Sequence, residues 1–184
     1  MTVLKETPAR FTADEFLELL EASPIANWSG KTELVKGVIT RIAPAEIPHW
    51  NAQRITFLRL HDALRDLSDE WLVGQEPMVR LAGDTIREPD VAILRLAGMV
   101  GKTFDRAALF LAIEIADSSL KLDLNAKRYV YAEAFVPHYW VVDLKGRRTH
   151  VMSDPLGGDY QRQLVTPFGE ELAIPDLGRS IILD

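Results

Sequence analysis

The chain has 184 residues, of which 47% are hydrophobic and 26% are charged; this composition is typical of a globular protein and excludes wholesale disorder. Twenty-one Lys and Arg residues against 27 Asp and Glu residues give a formal net charge of −6, which argues against nucleic-acid binding through bulk positive charge alone. The absence of cysteine excludes disulfides, thiolate metal sites and cysteine nucleophiles, and favours a cytoplasmic protein. No apolar segment approaches the roughly 20 residues that span a membrane, so no membrane partner is expected.

The beginning of the chain predicts a tail followed by a helix. Residues 1–10 are expected to form a flexible tail, and residues 11–184 a single domain. The pattern Thr12-x-x-Glu15 is a capping box, in which each residue bonds the backbone of the other. It predicts a helix that ends near Glu21.

The middle of the chain alternates between β-rich and helical patterns. Residues 33–42 predict a strand, or a tight pair of strands, around a central glycine. Helical periodicity covers residues 50–67. Two extended segments follow, residues 71–81 and 87–96. The almost purely apolar run 110–116 predicts a central strand that is buried on both faces.

The last third of the chain predicts one more helix and several strands. Residues 123–134 have a helical composition. The remaining predicted strands are 138–144, 148–152, 161–165 and 180–183. Together the elements indicate a mixed α/β fold, with a central sheet and helices on its faces.

Acidic residues in the strands are the most informative chemical feature, since common nucleotide-binding, serine-hydrolase and zinc-peptidase motifs are absent. The four histidines do not lie at ligand spacing from one another, which disfavours a histidine-built metal site. Glu114 interrupts the most apolar strand, where a carboxylate is costly unless it is paired, hydrogen-bonded or metal-bound. Alternatively, Glu114 lies at a solvent-facing strand end. Asp90, after Pro89, begins the preceding predicted strand.

Asp90 and Glu114 can meet because they lie on successive predicted strands, and adjacent strands are about 4.8 Å apart. Two carboxylates at neighbouring strand ends can share one divalent cation, and such oxygen-rich, partly open sites suit Mg²⁺. Lys127 lies in the next helix, on one face with Asp123 and Tyr131, because these residues have i, i+4, i+8 spacing. The alternative for this face is a solvated ladder of ion pairs.

Longer stretches of the sequence resemble a known family, the Uma-type putative restriction endonucleases of the PD-(D/E)XK nuclease superfamily. The resemblance covers about residues 11–184. It is carried by EPDVAIL, by FLAIEIADSSLKLDLNAKRYVYAEAFVPHYWVVDL, by Glu33-Leu34-Val35-x-Gly37, by Pro48-His49 before a helix and by Gln75-x-Pro77. It implies a restriction-endonuclease-like core, in which helices flank a central mixed β-sheet and extra strands follow at the C-terminal end.

The resemblance also implies a set of site residues. Asp90 and Glu114 would bind Mg²⁺, for which Mn²⁺ can substitute, and Glu33 would be a further acidic ligand. The superfamily places a lysine two residues after the second acid, where this chain has Ala116. The lysine role therefore passes to Lys127, with Lys121 as a second candidate. The implied activity is metal-dependent hydrolysis of DNA phosphodiester bonds, in which the lysine orients water or stabilises developing charge.

Two other functions stay open at the level of the sequence. The fold could serve as a binding or assembly module with weak or no catalysis, or it could hydrolyse a phosphodiester other than DNA. A homodimer would bring two sites together, and Trp140 and the late apolar strands are candidates for its interface. Further candidates for contact with the substrate are Tyr129, Tyr131, Ser118, Ser119, the arginines Arg54, Arg59 and Arg65, and the turn 145–148.

Overall fold

The computed structural model describes residues 9–22 and 31–184; most of the predicted tail, residues 1–8, lies outside them. The helices are α1 (Ala13–Glu21), α2 (Ile47–Ala63), α3 (Leu120–Leu122) and α4 (Arg128–Glu133), with a π-helical turn, Asp123–Lys127, between α3 and α4 and short 3₁₀ turns at Arg65–Leu67, Leu96–Gly98 and Arg106–Ala108. In these residues no helix is long and apolar enough to cross a membrane.

The described strands form two six-stranded sheets and one two-stranded ladder. The strands are β1 (Thr32–Val35), β2 (Val38–Arg41), β3 (Trp71–Gln75), β4 (Val79–Ala82), β5 (Thr85–Arg87), β6 (Val91–Arg95), β7 (Met99–Val100), β8 (Thr103–Asp105), β9 (Leu109–Ala116), β10 (His138–Asp143), β11 (Arg148–Leu156), β12 (Asp159–Pro167), β13 (Glu171–Ile174) and β14 (Arg179–Ile182). The first sheet has the order β2-β1-β5-β4-β8-β7, the second has the order β12-β11-β10-β9-β6-β3, and the ladder is β13-β14.

Strand β9 is the centre of the second sheet and of the hydrophobic core. It lies between β6, which runs antiparallel to it, and β10, which runs parallel. All eight of its residues are buried, because apolar clusters cover both faces of the sheet. The predicted central strand and the mixed α/β fold are thus confirmed.

Two predicted extended segments turn out to be wrong in one respect: each is divided between the two sheets. Residues 71–81 form β3 in one sheet and β4 in the other, and residues 87–96 are divided between β5 and β6. Pro77 and Pro89 lie at the two breaks. Proline cannot donate to a β-ladder and constrains the residue before it, so each strand stops and the chain crosses to the other sheet.

Helix and strand ends differ from the predicted ones by a few residues. Helix α2 begins at Ile47 rather than near residue 50, because Pro48 is tolerated in the first helical turn. Strands β7, β8 and β13 were not predicted. Trp140, a predicted interface residue, is fully buried in the core between β9 and β11, so it cannot contact a partner.

Candidate active site

A cleft of about 590 Å³ opens beside the start of β6 and the end of β9. Its walls come from the segment before α2, the first turn of α2, the Glu76 region, the loop after β9 and the π-helical turn. The lining residues are Lys31, Ile42, Ala43, Pro44, Ala45, Glu46, His49, Glu76, Glu88, Asp90, Ile115, Asp117, Ser118, Ser119, Leu122 and Lys127. Acidic side chains outnumber basic ones in this list, so a cation would be attracted to the cleft.

Asp90 lies on the floor of the cleft, where β6 begins. Its Oδ2 accepts the backbone N–H of Ile115 at 2.8 Å and lies 3.0 Å from Nε2 of His49. Its Oδ1 lies 2.5 Å from Nζ of Lys31. The side-chain amide of Gln53 donates to the Asp90 carbonyl at 2.9 Å. Strand pairing stops at Val91, and the carboxylate of Asp90 satisfies the next free N–H of β9.

Glu114 lies behind this floor and is almost fully buried. The next pair after Val91 and Ile113 in the β6–β9 ladder would be Asp90 and Glu114. Lys127 donates to Glu114 Oε2 at 2.7 Å, and the Tyr131 hydroxyl donates to Oε1 at 3.0 Å. The alternative of a solvent-facing strand end is therefore wrong for Glu114.

The helical face that carries Lys127 points into the protein. Lys127 Nζ lies 2.9 Å from Asp123 Oδ1, and the side chain of Asp123 is 1% exposed. Tyr131 is also fully buried, so the solvated ion-pair ladder is wrong for this face. The π-helical turn holds one extra residue per turn, and such turns often occur where side chains converge on a site.

Glu33 is buried beside the cleft, but other groups occupy both of its carboxylate oxygens. Arg87 donates to Oε2 at 2.5 Å, and the Glu88 backbone N–H donates to Oε1 at 2.9 Å. Both partners lie in the segment that leads into Asp90. Glu33 therefore fixes the position of this segment.

Burial and neighbouring charges shift the pKa values of these groups in opposite directions. Burial raises the pKa of Glu114 to about 7; the negative charges of Asp90 and Asp123 add to this effect, and the Lys127 ammonium opposes it. Burial also acts to raise the pKa of Asp90, but the His49 hydrogen bond and the Lys31 charge outweigh it and lower that pKa. The pKa of Lys127 is raised: burial opposes its charged form, but Glu114 and Asp123 more than compensate.

The donor chemistry of Asp90 and Glu114 fits a hard divalent cation. Both are carboxylates, they lie at neighbouring strand positions, and Asp90 borders an open cleft with room for water ligands. Among the described residues, no group of three or more His, Asp or Glu side chains is arranged to hold a metal. A cation bound by these two carboxylates would take its other ligands from water or substrate, as is usual for Mg²⁺.

Two residues of the site were not predicted from the sequence, Lys31 and His49. His49 was part of the family resemblance, but its contact with Asp90 could not be inferred, because α2 and β6 are far apart in the chain. Lys31 lies two residues before Glu33, and residues two apart in an extended segment point to the same face. This spacing was the available signal that Lys31 approaches the same site. The spacing of the histidines bears only on metal sites built from several histidines, so it could not predict the contact of His49 with Asp90.

The other candidates are distributed as follows. Ser118 and Ser119 line the cleft, whereas Tyr131 lies beneath it. The remaining candidates are exposed or lie outside the lining: Tyr129, Lys121, Arg54, Arg59, Arg65 and the turn 145–148.

Comparison with known proteins gives a family match over almost the whole chain. The model of the family Uma2, described as a putative restriction endonuclease, matches residues 13–184. The fold is similar to the crystal structure of a putative nuclease belonging to DUF820 from Anabaena variabilis ATCC 29413, with a TM-score of 0.67 and 17% sequence identity. The match covers 91% of each chain. No curated protein matches the sequence.

Proposed function

Because the chain belongs to the Uma2 family of putative restriction endonucleases, we propose that it is a metal-dependent endonuclease that hydrolyses phosphodiester bonds of DNA. One observation carries the proposal: the buried carboxylate of Asp90 lies on the floor of an open cleft, and behind it the buried Glu114 accepts a hydrogen bond from Lys127, which lines the same cleft. Buried charges are costly and are retained where chemistry needs them.

Asp90 and Glu114 are the proposed ligands of Mg²⁺, with Mn²⁺ as a substitute. The bound cation would lower the pKa of a coordinated water and neutralise charge on the phosphoryl oxygens. Glu33 was expected to be a further acidic ligand. Its partners Arg87 and the Glu88 N–H both belong to the segment that leads into Asp90, so we assign Glu33 the role of positioning Asp90.

Lys127 is the proposed catalytic lysine. Its ammonium is held by Glu114 and Asp123, and Lys127 lines the cleft beside Asp90, where a phosphate would approach the proposed cation. The raised pKa keeps it protonated near neutral pH, and a protonated lysine donates to developing negative charge rather than accepting a proton. Tyr131 orients Glu114 through its hydroxyl.

Nicking of supercoiled plasmid DNA tests the proposal. The unaltered protein is expected to nick DNA with Mg²⁺ or Mn²⁺ and to be inactive in EDTA. Asp90→Asn should reduce the rate at least about 100-fold, because an amide is a poor ligand for a hard cation. Asp62→Asn, at an exposed residue of α2, is the matched control and should retain the rate.

Substrate comparison separates the remaining functions. Cleavage of RNA or of a small phosphodiester, but not of DNA, would contradict the DNA assignment. A folded, metal-loaded protein that cleaves none of these would favour a binding module. Full activity of a clean Asp90→Asn preparation would contradict the assignment of the site.

A further inference from the structure

A second lysine, Lys31, lines the cleft beside Asp90, and the proposed mechanism does not use it. Its Nζ contacts three oxygens: Asp90 Oδ1 at 2.5 Å, Glu76 Oε1 at 3.2 Å and the Glu88 carbonyl at 3.3 Å. The side chain is only 16% exposed. Lys31 is thus a semi-buried cation in a cage of oxygens that belongs to the cleft.

The two oxygens of Asp90 are not equivalent. Oδ2 is held by the Ile115 N–H and approached by His49, whereas Lys31 is the partner of Oδ1. Oδ1 is therefore the oxygen through which Asp90 would bind a cation. A divalent ion binds a carboxylate oxygen at about 2.0–2.2 Å, and an ammonium on the same oxygen would repel it strongly at such a distance.

We propose that Lys31 is a tethered counter-ion that competes with the divalent cation for Asp90. The proposal rests on the proposed function, since it concerns the same carboxylate. Without metal, Lys31 neutralises Asp90 and stabilises the empty site. When metal binds, the ammonium moves off Oδ1 and stays in the cleft on Glu76, whose side chain is 43% exposed. Lys31 is accordingly a positioning residue that sets metal affinity.

This role predicts a gain rather than a loss on mutation. Removing the positive charge at residue 31 removes a competitor, so metal should bind more tightly. Damage to the structure would have the opposite effect, because a disordered carboxylate binds metal weakly. Lys127 is left unchanged in this test, because it is the proposed catalytic lysine and contacts Glu114 and Asp123 rather than Asp90.

Calorimetric titration with Mn²⁺, without DNA, measures this effect. Lys31→Gln is expected to bind Mn²⁺ at least about tenfold more tightly than the unaltered protein, because a unit charge at this range exerts a repulsion of several RT. Lys31→Arg keeps the charge and should show no such gain. Lys145→Gln is the matched control. Lys145 Nζ lies 3.3 Å from Oδ1 of Asp117, another carboxylate of the cleft, so this variant also removes one lysine charge from a cleft carboxylate. Its Mn²⁺ affinity should differ from that of the unaltered protein by less than about threefold.

Amine labelling of the unaltered protein gives a second readout that does not depend on a variant folding. Saturating Mn²⁺ should speed the acylation of Lys31, because the ammonium leaves the Asp90 carboxylate. Peptide mass spectrometry measures the rate of this acylation. Equal or weaker Mn²⁺ binding by a folded Lys31→Gln, or unchanged labelling of Lys31, would overturn the proposal. If the unaltered protein and the variant bind Mn²⁺ equally, only the role of Lys31 fails; if neither binds Mn²⁺, the proposed metal-dependent function fails as well.

Discussion

The ionisation and the orientation of the Glu114 carboxylate depend on its burial and on the groups that surround it. This carboxylate is buried near the carboxyl end of β9, where burial raises its pKa and the Lys127 ammonium opposes this effect. Lys127 and Tyr131 each donate to one oxygen, which leaves neither oxygen without a partner. A divalent cation on this carboxylate would favour its ionised form further.

The Tyr131 hydroxyl provides the first prediction at this scale. Tyr131→Phe leaves Oε1 of Glu114 without its donor, so unfolding free energy should fall by about 1–3 kcal/mol in a urea titration. Mn²⁺ affinity should also fall, because Glu114 is no longer held in one orientation. Tyr160→Phe is the matched control, since its buried hydroxyl donates to the Val136 carbonyl at 2.9 Å, away from the site. A similar loss of Mn²⁺ affinity in both variants would contradict the positioning role of Tyr131.

His138 provides a prediction about pH. Burial lowers its pKa, and the charge of Asp176 only partly opposes this effect. As pH falls, His138 therefore takes up a proton at a higher pH in the unfolded chain than in the folded protein. The stability that neutral His138 contributes is present above about pH 6.5 and is lost as pH falls from there through the folded pKa.

The measurement is the unfolding free energy of His138→Gln between pH 7.5 and 5. The variant should lose less stability over this interval than the unaltered protein, even if its stability is lower at every pH because the ring contact with Phe110 is gone. His61→Gln, at an exposed position of α2, serves for comparison. An unchanged slope for His138→Gln would contradict the prediction.

At the scale of elements, the sequence predicts best where one local signal dominates. The apolar run of β9, which only Glu114 interrupts, and the Thr12 capping box each determine their element, and both were confirmed. The assignment of strands to two sheets was missed, because it depends on breaks at Pro77 and Pro89 and on pairing between distant segments. The contacts of Lys31 and His49 with Asp90 were missed for the same reason: they join residues separated by long stretches of chain.

The β1–β2 hairpin provides a prediction at this scale. Lys36 and Gly37 both have positive φ angles in its turn, and a Cβ at Gly37 would lie 2.6 Å from Cβ of Arg10. Gly37→Ala should lower the unfolding free energy by about 1–3 kcal/mol through backbone strain and this clash. Gly157→Ala has a positive φ but no neighbour within 4 Å, so it isolates the strain alone. An equal cost for both variants would contradict the clash.

At the scale of the whole molecule, the net charge of −6 and the acidic cleft work against DNA binding by the protein alone. A cation held by Asp90 and Glu114 would reduce this repulsion where the phosphate has to approach, so metal and DNA should favour each other's binding. Binding without metal is expected to be weak and sensitive to salt. A homodimer stays a prediction, and exposed apolar side chains of the β11–β12 hairpin, Leu156 and Leu164, are available for it.

A crystal structure of the protein soaked with Mn²⁺ tests the central claim most directly. An anomalous peak is expected in the cleft within about 2.0–2.2 Å of one oxygen each from Asp90 and Glu114, with Lys31 displaced from Asp90. A fully occupied Mn²⁺ elsewhere, or carboxylates more than about 6 Å apart and therefore unable to share one ion, would contradict the account.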